Sequence, residues 1–163
     1  MVRRFRKVAV GGTFDNLHEG HSRLLGKALE MGDLVVIGVT TDEMLRVHPK
    51  NHLVAKFDER QRNLLSFLTD LGVVERVQIV PITDKFGPVI YDAEVDALVV
   101  SRETCPVGKE INEIQSKRGY KPLTLIVIAL VLADDGLPIS TTRIRRGKID
   151  RDGRLVRSKE ADS

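Results

Sequence analysis

Two histidines three residues apart, His18 and His21, follow a Gly11-Gly12-Thr13-Phe14-Asp15 stretch that ends an apolar run near the amino terminus. An imidazole, charged or as a neutral donor, stabilises the charge that develops on a phosphate in the transition state of phosphoryl and nucleotidyl transfer. Gly11 and Gly12 accept backbone angles closed to other residues and let a ligand approach the main chain, and Thr13 adds a hydroxyl. Leu24, Leu25, Ala28 and Leu29 recur at helical spacing just after Gly20. Their helix is expected to aim its first N–H groups at an anion beside the imidazoles. The same spacing also suits two ordinary polar caps, and both readings stand at this point. Zinc is not expected, because His-x-x-His lacks the i, i+4 spacing of a helical zinc pair and there is a single cysteine.

A second stretch with chemical potential is Ile139-Ser140-Thr141-Thr142-Arg143. Three hydroxyls before an arginine-rich turn predict a helix start, with Ser140 or Thr141 as cap and Arg143 projecting close by. Such a start holds a second phosphate group or is a plain capping sequence. Between the two stretches, Thr41 to Lys56 is a long polar connection carrying Arg46, His48, Lys50, His52 and Lys56. It is either a flap that closes over phosphates or a solvated loop. Lys50 and Lys56 are its better candidates, because lysine is a flexible point charge that a loop can deliver. Cys105 reads as a packed small residue, with no base legible beside it.

The elements that must position these residues form an α/β pattern. Lys7 to Gly11 reads as a strand, Gly20 to Met31 as a helix stopped at Gly32-Asp33, and Leu34 to Thr40 as a second strand covered on both faces. A right-handed crossover then puts the Gly11–His21 turn at the carboxyl end of the sheet, where open α/β sheets bind ligands. Asp58 is expected to cap a helix through Leu64, Leu65 and Leu68 to Leu71. Val77 to Pro81 and Ala97 to Ser101 are the third and fourth strands, and a helix runs through Ile111, Ile114 and Gln115. A short helix is expected near Phe86–Tyr91, and Leu123 to Leu132 is the fifth strand. Residues 1–150 are expected to form a single domain, with 151–163 a charged tail, frayed or loosely docked.

At 163 residues one domain with a sizeable core is expected, built from Val, Ile and Leu because aromatics make up only 4% of the chain. Charged residues reach 30%, yet the formal net charge is only +3, which is mild support for an anionic ligand. Acidic residues interleave with the basic ones and aromatics are scarce, which disfavours nucleic acid as a partner. No apolar run reaches the ~20 residues of a membrane span, no signal peptide is legible, and one cysteine fits a reducing compartment. A cytoplasmic setting without a membrane partner is expected.

Gly12-Thr-Phe-Asp-x-x-His-x-Gly-His21 together with Ile139-Ser-Thr-Thr-x-Ile144 resembles the signature pair of the nucleotidyltransferase superfamily. The resemblance implies a Rossmann-like parallel five-stranded sheet with helices on both faces. Within it, the Gly-Gly-Thr-Phe-Asp-x-Leu-His opening, Ser101-Arg-Glu-Thr and Gly108-Lys-Glu-Ile-Asn112 are most similar to phosphopantetheine adenylyltransferases of the archaeal and eukaryotic type. That family joins 4′-phosphopantetheine to the AMP part of ATP with magnesium, giving dephospho-coenzyme A and pyrophosphate. By this resemblance Thr13 holds the attacking phosphate, and His18 and His21 grip the ATP phosphates. Lys50 or Lys56 bridges both substrates. Gly12, Phe14, Arg102, Ser140, Thr141, Thr142 and Arg143 complete the ATP site, and Ser101 with Lys56 borders the acceptor. The implied reaction is direct in-line displacement, with Mg2+ carried mostly by the triphosphate. Two other readings remain: another small-molecule nucleotidyltransferase (cytidylyltransferase, or FAD or NMN adenylyltransferase), and a non-catalytic nucleotide- or RNA-binding protein.

Overall fold

The computed structural model of the protein describes residues 3–50 and 53–157. Runs rich in Val and Ile form five strands: β1 (Phe5–Gly12), β2 (Gly32–Thr40), β3 (Val77–Ile82), β4 (Ala97–Val100) and β5 (Thr124–Val127). All pair in parallel, in the order β3-β2-β1-β4-β5. The central strands alternate their side chains between two apolar layers, as a period of two demands. Val8, Val10, Val35, Ile37, Val39, Ala97 and Val99 point to one face, where helices α1 (Glu19–Met31) and α3 (Phe57–Asp70) add Leu25, Ala28, Leu29, Leu64 and Leu68. Ala9, Val36, Leu98 and Val100 point to the other, under Ile111 of α4 (Cys105–Lys117) and Val89 of a 3₁₀ turn at Pro88–Tyr91. Helices therefore cover both faces. Chain order reverses between β1 and β4, so the expected ligand crevice opens above their carboxyl ends.

Three expectations need correction. The Thr41–Lys56 connection is not all loop, since Asp42–Val47 forms a short helix, α2, whose Thr41 cap accepts the Met44 N–H at 3.2 Å. Asp58 does not cap α3; it lies in the first turn, while Asp42 reaches across from α2 and accepts the Phe57 N–H at 2.9 Å. The fifth strand stops at Val127, because the strand it pairs with, β4, ends at Val100. Beyond it the chain turns into an antiparallel bridge between Leu132 and Pro138. Of the two readings for the charged end, docking holds as far as Leu155, which bridges Ile149, while the Gly153 carbonyl accepts the Asp134 N–H. His52 and residues 158–163 lie outside the described residues.

Candidate active site

The turn after β1 is shaped by two left-handed residues, Phe14 (φ 51°) and Asn16 (φ 50°). Such angles cost a bulky side chain of order 1–3 kcal/mol and persist only where the surroundings enforce them. Here Phe14 is buried in the core, and the Arg151 guanidinium donates to Asn16 Oδ1 at 2.9 Å. The reversal turns Asp15 inward and delivers His18 to the N-cap of α1.

Both histidines serve that cap. His18 Nδ1 accepts the Gly20 N–H at 3.0 Å, and His21 Nδ1 accepts the His18 N–H at 3.1 Å, a reciprocal capping box built from two imidazoles. A ring nitrogen that accepts carries no proton, so each neutral ring holds its proton on Nε2. The rings stack with centroids 3.8 Å apart. Burial lowers the His18 pKa to about 4, and burial together with the neighbouring His18 lowers that of His21 to about 3. Capping and chemistry are thus not alternatives: capping fixes which nitrogen is left to donate. The free helix N–H groups expected here are partly taken, since Glu19 donates to the Arg151 carbonyl at 3.0 Å and Gly20 to His18.

The second stretch meets the first. Ser140 caps α5 (Thr141–Arg145), its Oγ accepting the Arg143 N–H at 3.3 Å, and Thr141 Oγ1 donates to the Asp15 carbonyl at 3.0 Å. Asp15, 2% exposed, takes the Arg145 Nε and Nη2 at 3.0 and 2.9 Å. This fork across 130 residues of sequence closes the walls of one cavity of about 370 Å³. Gly12, Thr13, His18 and His21 line one side; Ser140, Thr141 and Thr142 line the other; Lys50, Ser101 and residues 128–131 complete it.

A second cavity, about 280 Å³ and mainly apolar, opens on the other side of Thr13, among Met44, Phe86, Val89, Leu98, Val107 and Ile111. Gly11 of β1 and Gly38 of β2 lie in its wall beside Ile82, and a Cβ at Gly38 would come within 2.7 Å of the Ile82 side chain that is seated there. Gly12, Thr13 and Lys50 belong to the walls of both cavities. Thr13 Oγ1 accepts from Thr40 Oγ1 at 3.2 Å, which leaves its own proton free to be donated into the junction.

Several predicted residues lie off these walls. Lys56 faces a separate hollow between α2 and the flap, which Lys50 also borders. Phe14 sits behind the site, its ring 5.5 Å from that of His21. Arg102 lines neither cavity, and Ser101 stands on the hydroxyl-lined side rather than the apolar one. Arg143 folds back onto its own hairpin, paired with Asp135 and donating to the Leu137 and Pro138 carbonyls.

Sequence reasoning missed Arg60, which lies on the buried stripe of α3 and is 1% exposed. Its guanidinium donates to the carbonyls of Thr13, Thr40 and Ala55, each at 2.8 Å, and pairs with Asp42 at 3.1 Å. The signal was the spacing Arg60, Leu64, Leu68, which puts a cation where the pattern asks for an apolar residue. Asp15 and Arg145 were also missed, since nothing local marks them as partners.

Residues 9–147 match the family described as cytidylyltransferase-like. A phosphopantetheine adenylyltransferase of Methanopyrus kandleri is 54% identical over 147 residues, which cover 90% of this chain and 92% of that protein. One from Methanosarcina mazei is 47% identical over 152 residues, 91% of this chain and 96% of its own. The crystal structure of an Archaeoglobus fulgidus protein of unknown function is similar with a TM-score of 0.66 and 35% identity, over 75% of this chain and 88% of the other.

Proposed function

This chain belongs to the cytidylyltransferase-like family, and on that premise we propose that it joins the adenylyl group of ATP to 4′-phosphopantetheine, forming 3′-dephospho-coenzyme A and pyrophosphate for coenzyme A biosynthesis. The observation that carries the reading is the shared position of Thr13 and Lys50 between a hydroxyl-lined and an apolar cavity. A triphosphate suits the first and the uncharged pantetheine arm suits the second, so the two phosphates that react meet at the junction.

In this reading an oxygen of the acceptor phosphate, held by the Thr13 hydroxyl and Lys50, attacks the α-phosphorus. The bond to the bridging oxygen breaks in line, and pyrophosphate leaves with the electron pair. The attacking oxygen is already anionic, so no base is required, and catalysis is positioning plus stabilisation of charge. His18 and His21 donate from Nε2 to the phosphate oxygens as charge accumulates. The hydroxyls of Ser140 and Thr142 receive the leaving group, Thr141 holds the Asp15 carbonyl beside them, and residues 128–131 form the wall for the adenine.

Hydroxyls and imidazole N–H groups dominate the nucleotide side, and its buried carboxylate, Asp15, is engaged by Arg145. That donor set suits magnesium that arrives on the triphosphate oxygens with its waters. There it supplies neutralisation of the leaving pyrophosphate. No helix among the described residues is long and apolar enough to cross a membrane, and a cytoplasmic setting, where ATP is abundant and Cys105 stays reduced, completes the reading.

The test is incubation with ATP, Mg2+ and a panel of acceptors: 4′-phosphopantetheine, phosphorylated alcohols, FMN and NMN. Pyrophosphate release with phosphopantetheine, and a product of dephospho-coenzyme A mass, are expected. Turnover confined to another acceptor would overturn the assignment.

A further inference from the structure

Asp15 does more than close the nucleotide cavity. Besides the Arg145 fork, its Oδ1 accepts the Ala55 N–H at 3.1 Å, while the Ala55 carbonyl accepts Arg60 Nε at 2.8 Å. Arg60 in turn holds the Thr13 carbonyl. A continuous run of bonds therefore links α5, through Arg145, Asp15, Ala55 and Arg60, to Thr13, which lines both cavities. Its members Asp15 and Arg60 are almost fully buried, so water does not substitute for a lost contact.

From this run of contacts we propose that the Asp15–Arg145 pair couples the two substrate sites, so that phosphates seated on Ser140–Thr142 hold Thr13 in place for the acceptor. The inference rests on the functional reading above. Arg145 is a positioning residue: its guanidinium is committed to Asp15 and acts on Thr13 only through Asp15, Ala55 and Arg60. Because coupling between two ligands is reciprocal, each substrate raises the affinity for the other by the same factor.

Calorimetric titration of the full chain tests this, using α,β-methylene-ATP, which resists transfer, and 4′-phosphopantetheine, each in the absence and presence of the other. The wild-type chain is expected to bind the acceptor about 10-fold more tightly with the analogue bound, within the usual range of such couplings. In Arg145→Met and Asp15→Asn the factor falls below about 2-fold. Arg145→Lys, which offers one point contact in place of a fork, lies between them. A merely structural role would lower the melting temperature or both affinities and leave the factor intact. Arg145→Met touches a half-buried side chain and is the variant to rely on if Asp15→Asn does not fold. Folded variants that keep the wild-type factor, or a wild-type chain that binds both ligands independently, overturn the coupling alone. A wild-type chain that binds neither ligand overturns the functional reading, and the coupling with it.

Discussion

The Nδ1 of His21 accepts the backbone N–H of His18 at 3.1 Å, and this single bond fixes the protonation, tautomer and direction of a ring that a motif alone leaves undefined. With His18 bonded to Gly20 in the same sense, the candidate site presents two neutral donors rather than two cations. Stacked at 3.8 Å and shielded from solvent, two imidazolium rings would repel one another.

Histidine NMR on the ligand-free protein is therefore expected to show Nε2–H tautomers for both residues and no titration near pH 6.5. Protonation begins only towards about pH 4 for His18 and about pH 3 for His21. The linkage follows: below 6.5 the unfolded chain takes up protons that the native state refuses, so the contribution of these rings to stability falls progressively as pH drops from 6.5 towards about 4 for His18 and about 3 for His21. Ordinary titration of His18 and His21 near 6.5 would contradict the buried, neutral pair.

Gly20 is expected to be intolerant of a substitution that a helix would normally welcome. A Cβ there would lie 2.7 Å from His18 Cε1 and 2.9 Å from its Nδ1, so Gly20→Ala must push the ring out of the cap. Turnover should fall by about 10-fold or more, the lower side of the loss of one preorganised donor, despite the gain in helix propensity. Steady-state kinetics with a thermal melt separates the two effects.

Arg60→Met should cost about 3–5 kcal/mol in chemical denaturation, since it removes a buried charge and leaves Asp42 and three carbonyls short of a donor. Arg60→Lys should recover only part, because a point charge cannot serve the carbonyls of Thr13, Thr40 and Ala55 together. A loss below about 1 kcal/mol, the scale of a single ordinary hydrogen bond, would mean that these contacts do not hold the site.

The two flap lysines are expected to separate cleanly. Lys50 lines both cavities and Lys56 neither. Lys50→Ala should lower kcat/KM by about 10²-fold, as loss of a charged donor at reacting phosphates does, while Lys56→Ala stays within a few-fold of the wild type. The reverse order in steady-state assays would reassign the bridging charge.

Much of this was readable in the chain because the sheet is buried on both faces: β1, β2 and β4 announce themselves as apolar runs, and the loops that follow them line the candidate site. Uniformity misled at the fifth strand, where Leu123–Leu132 looks continuous, but pairing ends at Val127 with the short neighbour β4. The helix α2 was missed although Thr41-Asp42-Glu43 is a fair start signal, because six residues carry too little periodicity to detect. Asp15 with Arg145 and Arg60 with Thr13 lay beyond reach for another reason. Each is a contact between charged or polar residues far apart in sequence, and a charged residue in a single sequence reads as surface until its partner is known.

Replacing His21 with alanine and measuring single-turnover formation of dephospho-coenzyme A, at saturating ATP and 4′-phosphopantetheine with the fold checked by circular dichroism, tests the central claim most directly. The account predicts a rate at least about 10²-fold below the wild type, the loss expected when one preorganised donor is taken from the transition state. A folded His21→Ala protein that forms product at a near-normal rate would contradict it.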